Sequence, residues 1–337
     1  MPASPDAPPG AMLLAAGFGT RLRPLTLELP KPLVPVATRP LAEYGLRLLE
    51  RAGARRVVVN LHHLGEQLPA ALGARLGGLE LVYSPEQELL GTGGGLVRAR
   101  GELGGGTVLV VNGDVLCAAE LGVLLAAHRA RGAAASLLVR PLPAGSGFTP
   151  LAVDGAGRLR GLGDWRPGRA RAARGATRPM MFCGLYAFEP ALFDFLPAAG
   201  PACVVEQGFK PMLEAGLEIA AVEERGPWFD LGTPRAYLEA NLELLSGRLR
   251  LGQLDALAEA VARGATLSPP GVLVEAGAEL GAGVRLGPLV AVGRGARVGA
   301  GAALSRAVVW PGAEVPPGAR LDGVVVHRGG VLRALPA

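Results

Sequence analysis

The sequence predicts an α/β domain built on a mixed, mostly parallel sheet, followed by a short parallel β-helix. Three observations predict it. Short, continuously apolar runs alternate with amphipathic helical runs as far as residue 245. A six-residue period takes over beyond Pro270. Half of the 337 residues are apolar, enough to fill a core and too many for a disordered chain.

Residues 12–15, 57–60, 79–83, 108–111 and 136–139 are short, predominantly apolar runs, as strands buried on both faces require. Helical runs at 41–52 and 121–131 lie between them, ended by Gly53 and Gly132 at C-cap positions. Strand and helix alternating in this way builds βαβ units, whose ligands collect at the carboxyl ends of the strands. Residues 237–262 read as one helix, with Leu238, Leu242, Leu245 and Leu249 near one face, until Pro269 and Pro270 stop the pattern.

Beyond them apolar residues recur six apart at Val274, Leu280, Leu286, Val292, Val298 and Leu304. After one five-residue step the series resumes at Val309, Val315 and Leu321. A small or branched residue follows each by four: Ala278, Val284, Val290, Ala296, Ala302, Val308, Ala313, Ala319 and Val325. Neither a helix, repeating at 3.6, nor a strand, repeating at 2, sustains a period of six. A triangular coil with six residues per side does, each side turning one large and one small side chain inward.

Composition narrows the function. Gly 51 and Pro 29 make up about a quarter of the chain, which with so apolar a sequence means many tight turns. No uncharged stretch reaches the ~18 residues of a membrane span, so no membrane partner is expected. Residues 1–10 carry no Lys or Arg and no apolar run; they read as a disordered tail, not a signal peptide. Cys117, Cys183 and Cys203 form no CxxC, so neither a disulfide framework nor a zinc site is indicated, and a cytoplasmic location is expected. The pI near 9.5 accompanies a net charge of only +5 and no dense basic run. That describes a solvated Arg-rich surface, not a nucleic-acid binder. Only Lys31 and Lys210 stand against 32 arginines, so each lysine is informative.

The strongest motif follows the first strand: Leu13-Leu14-Ala15-Ala16-Gly17-Phe18-Gly19-Thr20-Arg21, then Pro24-Leu25-Thr26 and Pro30-Lys31-Pro32. Glycines after a buried strand let backbone N–H groups approach a phosphate. The sixth position after the first glycine is not Gly and no Gly-Lys-Ser/Thr occurs, so this is neither a dinucleotide fingerprint nor a Walker loop. Its mark is the cations, Arg21 and Lys31, on one excursion.

At these residues the chain resembles the sugar-1-phosphate nucleotidylyltransferases. Leu90-Gly91-Thr92-Gly93-Gly94-Gly95 is similar to that family's second glycine segment, which packs against the nucleoside. Val110-Val111-Asn112-Gly113-Asp114 resembles its metal-binding strand end, Phe182-Cys183-Gly184-Leu185-Tyr186 its sugar-side strand, and Trp228-Phe229-Asp230-Leu231-Gly232-Thr233-Pro234 its second metal motif. The resemblance implies a Rossmann-like nucleotidyltransferase domain at 11–245, a helical linker at 246–270 and a left-handed parallel β-helix at 271–330. It implies a nucleoside triphosphate and a sugar-1-phosphate as substrates and Mg2+ as cofactor.

By the same resemblance Arg21, Lys31 and Asp114 are catalytic, and Asp114 and Asp230 are the metal ligands. Ala15, Gly17, Gly19, Thr20, Glu86, Gly91 and Thr92 hold the nucleotide; Asn112, Gly147, Asp164, Gly184 and Glu206 hold the sugar. A magnesium ion takes one or two carboxylates plus phosphate and water, which suits an acidic pair at strand ends. The nucleophile is a phosphate already largely ionised at neutral pH, so no general base is needed. Catalysis reduces to aligning anions and cancelling their repulsion.

Glu86 only accepts hydrogen bonds, so as a base reader it suits the ring N–H of guanine or uracil. The stretch Ser84-Pro85-Glu86-Gln87-Glu88 is similar to mannose-1-phosphate guanylyltransferases. Tyr83-Ser84-Pro85-Glu86 with Gly93-Gly94-Gly95 also resembles N-acetylmuramate-1-phosphate uridylyltransferases, which lack the repeat tail. GTP is therefore the first expectation and UTP the alternative. The family's Glu-x-Lys-Pro appears only as Asp164-Trp165-Arg166-Pro167, which places Arg166 where a lysine grips the sugar phosphate. A Glu-Lys pair of the guanylyltransferases is Glu206-Gln207 here; Lys210 reads as a surface lysine, with compensation for the missing one as the alternative. Two other readings are an acyltransferase in the repeat, for which His327 is the nearest base, and a non-catalytic NDP-sugar-binding regulatory subunit. The repeat, with unpaired backbone at its open end, predicts a homo-oligomer.

Overall fold

The computed structural model describes residues 7–168, 176–252 and 254–336. Residues 1–6 of the expected tail lie outside that set, and Gly10, assigned to the tail, opens the first strand by pairing with Val108. The described chain forms two compact units, each discontinuous in sequence: residues 1–17, 45–115 and 119–226 in the first, 18–44, 116–118 and 227–337 in the second. The division expected near residues 245 and 271 is therefore not where the contacts divide. Residues 18–44 leave the first strand's unit to join the chain's last hundred residues.

In the first unit, Val108–Asn112, Gly10–Leu14, Arg56–Leu61 and Leu79–Pro85 run parallel at the centre of a mixed sheet. Thr177–Phe188 runs antiparallel to three strands: Phe188 pairs with Val108 on one edge and Ala135 on the other, and Met180 with Leu151 on one edge and Pro141 on the other. Met12, Val58, Val110, Leu96, Tyr186 and Phe188 form the core between sheet and helices. The helix Leu121–Arg131 ends as its spacing predicts, with left-handed Gly132 donating to the carbonyl of Arg129 at 3.1 Å. A further helix, Gly91–Leu103, begins inside the second glycine segment, where four glycines hide it from propensity arguments. Two of its otherwise orphaned first-turn N–H groups, Gly93 and Gly94, donate to the carbonyl of Ala202.

In the second unit the predicted single helix is two, Pro234–Leu245 and Ala256–Ala262. Gly247, at φ 74, ends the first, and each has its own N-cap: Thr233 accepts from the N–H of Ala236, Asp255 from that of Ala258. The six-residue period becomes three parallel ladders. Val272–Val274 pairs with Val290–Val292, then residues 307–309 and 324–326; Glu279–Leu280 with Arg297–Val298 and Glu314–Val315; Arg285–Leu286 with residues 303–304 and 320–321. Corresponding residues advance by 18 and then 17, and the shorter step is the five-residue irregularity of the sequence. Left-handed residues stack at the corners in matching columns: Gly271, Leu289, Arg306 and Gly323; Gly277, Gly295 and Gly312; Gly283, Gly301 and Gly318.

Val292, Val298, Leu304, Val309 and Val315 are buried as the pattern predicts. Leu280 is not: it is 46% exposed, because it lies in the first repeat and has neighbours on one side only. The ladder through Val272–Val274 also buries its other face, where Leu273 and Ala291 meet Leu245 and Ala260 of the two helices. Its two edges end in antiparallel strands, Thr266–Ser268 and Gly330–Arg333, so this chain covers its own ladder ends.

Candidate active site

The parallel strands of the first unit end where ligands of such sheets bind, and their last residues are polar. Asn60, at the end of Arg56–Leu61, is buried and joins three segments. Its Oδ1 accepts from the N–H of Ala15 at 2.7 Å, and its Nδ2 donates to Glu86 Oε1 at 2.7 Å. The other oxygen of Glu86 accepts from the N–H of Leu90 at 3.0 Å. Glu86, expected to read a base, is therefore a buried brace whose two oxygens are both engaged within the protein. Sequence reasoning missed Asn60; its signal was a polar residue at the end of the apolar run Val57–Val59.

The second glycine segment also serves the protein itself. A Cβ on Gly91 would lie 2.8 Å from the carbonyl oxygen of Ala202, on Gly94 2.5 Å from that of Gly200, and on Gly95 2.9 Å from Glu86 Oε1. Thr92 Oγ1 accepts from the N–H of Val204 at 2.9 Å. These glycines let residues 200–204 lie against the helix start. On the sugar side, Asn112 and Gly184 come together: Gly184 has φ 79, and a Cβ there would lie 2.9 Å from Asn112 Nδ2. Asp164 and Glu206 line one cavity of the first unit, whereas Gly147 is exposed in the loop before Phe148. Asp114 is half-buried just past Val108–Asn112.

The second unit holds the cations. Gly19, at φ 59, turns the chain into the short helical turn Thr20–Leu22, and Thr26 Oγ1 donates to the carbonyl of Gly19 at 2.9 Å. A Cβ on Gly19 would lie 2.8 Å from Thr26 Cγ2, so this glycine is demanded by packing and conformation together. Arg21 Nη2 lies 3.4 Å from Asp230 Oδ2, and Lys31 Nζ lies 3.7 Å from Asp230 Oδ1. Arg21 is largely exposed whereas Lys31 is buried. Gly232 permits this meeting, since a Cβ there would lie 2.8 Å from Arg21 Nη2. Thus Arg21, Lys31 and Asp230, separated by some 200 residues of sequence, converge. Asp230 Oδ1 is buried and accepts no hydrogen bond among the described residues.

The excursion that carries these cations is tied at both ends. Glu28 accepts from the N–H groups of Gly329 at 2.6 Å and Arg328 at 3.2 Å, and pairs with His327. Farther on, Tyr237 donates to the carbonyl of Pro35, Trp310 donates to Tyr237 at 3.0 Å, and Asn241 accepts from the N–H of Ala37 at 2.9 Å. Burial pushes the phenol of Tyr237 up, so it stays a neutral donor. Ala37 and Thr38 are both left-handed, a strained turn that the Asn241 contact helps to hold. His327, buried against Trp310 and Glu28, is placed as part of this tie and not as an acyl-transfer base.

The family model described as Nucleotidyl transferase matches residues 10–247. A UTP–glucose-1-phosphate uridylyltransferase of Synechocystis is 29% identical over 73% of this chain and 66% of its own length. A mannose-1-phosphate guanylyltransferase of Mycobacterium tuberculosis is 31% identical over 80% and 76%. The catalytic subunit beta of a Drosophila pseudoobscura mannose-1-phosphate guanylyltransferase is 30% identical over 68% and 60%. The chain thus spans about two thirds, three quarters and three fifths of these relatives. No helix among the described residues is long and apolar enough to cross a membrane. With a family model covering most of its length and its cationic loop meeting the acidic motif at Asp230, the chain belongs to the nucleotidyl transferase family.

Proposed function

We propose that the protein is a sugar-1-phosphate nucleotidylyltransferase, which converts a nucleoside triphosphate and a sugar-1-phosphate into an NDP-sugar and pyrophosphate. The observation that carries this reading is the meeting of Arg21 and Lys31 at Asp230. A phosphate oxygen of the sugar-1-phosphate attacks the α-phosphorus; the new P–O bond replaces the bond to pyrophosphate, which leaves with its electron pair. Arg21 faces the departing pyrophosphate and Lys31 the α-phosphate, where fixed cations stabilise the charge that develops. The nucleophile needs no proton removed, in keeping with a site that supplies cations and glycines.

The donor set also fits magnesium. Asp230 Oδ1 is a buried carboxylate oxygen that accepts no hydrogen bond, and no cluster of three or more His, Cys, Asp or Glu occurs among the described residues. An ion held by one or two carboxylates and completed by phosphate and water suits such a set; Asp114 and Asp230 would hold it. When bound, it supplies positive charge opposite the phosphates.

GTP and mannose-1-phosphate are the proposed substrates, making GDP-mannose. The alternative is UTP with glucose-1-phosphate or N-acetylmuramate-1-phosphate, and relatives named for either base are about equally similar. Glu86, braced by Asn60 and Leu90, favours neither base. A non-catalytic NDP-sugar-binding role is less well supported, since Arg21, Lys31, Asp114 and Asp230 are all present. For the C-terminal ladders we propose a left-handed parallel β-helix of about three coils, supported by the 18- and 17-residue steps and the three columns of left-handed corners. A homo-oligomer formed through it and a cytoplasmic location complete the proposal.

The test is pyrophosphate release from GTP, UTP, dTTP, ATP or CTP with magnesium and a panel of sugar-1-phosphates. GDP-mannose formation is expected, UDP-sugar formation selects the alternative, and silence across the panel overturns the transferase reading. Asp114→Asn should abolish turnover with the fold intact; near wild-type rates would contradict its role.

A further inference from the structure

The first unit contains a cavity of about 570 Å³ walled by Phe148, Trp165, Phe182 and Phe209. Lys210 and Glu206 stand on its rim, which they share with Trp165 and a neighbouring cleft of about 810 Å³. Lys210 is one of only two lysines in the chain, the other being Lys31 of the phosphate loop. A π-helical turn, Val204–Phe209, leads into it, an irregularity frequent at functional sites.

Three contacts define its position. Lys210 Nζ donates to Glu206 Oε2 at 2.6 Å, lies 5.8 Å from the centre of the Trp165 ring, and is itself only one-fifth exposed. Glu206 is more than half exposed, so the pair adds little to stability and is easily remodelled by a ligand. An ammonium has three N–H groups, and one suffices for Glu206. Arg166, expected to grip the sugar phosphate, is turned away from this role. Its Nη1 donates to the carbonyls of Gly163 at 2.7 Å and Trp165 at 2.8 Å, with the side chain laid over Gly161. Arg166 borders the neighbouring cleft and does not line the aromatic cavity.

The aromatic-walled cavity is also lined by the carboxylates of Asp164 and Glu206, acceptors for sugar hydroxyls, and Lys210 is its one cation; together they suit a ring with C–H faces, hydroxyls and a single anionic group. We propose that Lys210 is the specificity-determining cation of the sugar side, donating to an anionic oxygen of the acceptor sugar-1-phosphate. This rests on the transferase reading. The anionic oxygen belongs either to the phosphate or to a carboxylate carried by the sugar ring, and the two are separable by experiment.

The test is calorimetric binding of glucose-1-phosphate and glucuronic acid 1-phosphate to the full chain with magnesium and an α,β-methylene nucleotide, in wild type, K210M and K210R. K210M should weaken sugar-phosphate binding about 10- to 100-fold, the effect of losing one charge-assisted hydrogen bond. K210R, which keeps the charge but not the point-like ammonium, should recover part of it. Nucleotide affinity and melting temperature should not move. Loss on both ligands assigns Lys210 to the phosphate; loss on the acid alone assigns it to the ring carboxylate. K210M binding both within twofold of wild type overturns the proposal, as does a wild type that binds neither. Lys210-dependent binding without any pyrophosphate release would sink the transferase reading and leave Lys210 in place. Normal turnover with an unaltered K210M would sink Lys210 alone.

Discussion

Two glycine-rich segments, residues 17–19 and 91–95, look alike in sequence and do different work. In the second, Gly91, Gly93, Gly94 and Gly95 all face protein atoms at 3.0 Å or closer to where a Cβ would stand. Their missing side chains admit residues 200–204 and the Asn60–Glu86 brace. In the first, Gly19 is likewise demanded by Thr26 and by its left-handed backbone, whereas a Cβ on Gly17 would meet nothing within 4 Å. Open space alone does not single Gly17 out, since Gly101, Gly105 and Gly122 share it; its place between the first strand and Gly19 is what ties it to the proposed nucleotide site. The difference separates glycines that packing requires from one that it does not, which composition and motif spacing alone do not separate.

Lys31→Met should have the largest effect. It removes one of two cations at Asp230 and keeps the apolar stem, so kcat/KM should fall about 100- to 1000-fold, equivalent to roughly 3–4 kcal/mol. Unliganded melting should hold, as circular dichroism would show. Asn60→Ala acts in the opposite sense: it strands the Ala15 N–H and a buried Glu86 oxygen, and should cost about 3 kcal/mol in urea unfolding. A loss below about 1 kcal/mol would mean that the brace is not structural.

The smallest effect concerns the corner columns. Arg306, through its hydrogen bonds, and then Ser305 hold the Asp322 carboxyl down at about 2, against the opposing pull of partial burial. Its folded pKa lies below the unfolded 3.8, so its contribution is present above about pH 4 and fades as pH falls toward 2. Asp322 is more than a third exposed, so solvent screening keeps the contribution under about 1 kcal/mol. The stability gap between wild type and Asp322→Asn should therefore close between pH 4 and pH 2 in unfolding titrations.

Much of this was legible in the chain itself. Local signals carried the parallel strands, the helix Leu121–Arg131, the six-residue period, and the motifs of Arg21, Lys31 and Asp230. What was hidden depends on contacts between distant residues. Glu28 meets Gly329 across 301 positions, so no local pattern showed that the loop of Arg21 and Lys31 belongs with the C-terminal ladders. Glu86 stood out by the resemblance alone, and no local pattern showed that Asn60, 26 residues earlier, donates to it. Arg166 matched a motif position, yet carbonyls of its own turn hold its guanidinium. The break at Gly247 was readable and was overridden by a leucine spacing that runs on past it.

The most direct measurement is a paired one on Gly17→Ala and Gly94→Ala: melting without ligand, then titration with magnesium and GTP or UTP. Gly17→Ala should melt with the wild type, within about 0.5 kcal/mol, and bind nucleotide at least about tenfold more weakly. Gly94→Ala, whose Cβ would press on the carbonyl of Gly200, should lose about 2 kcal/mol of stability while its folded form binds as wild type does. Unchanged nucleotide binding by Gly17→Ala would contradict the assignment of the loop after the first strand to the nucleotide.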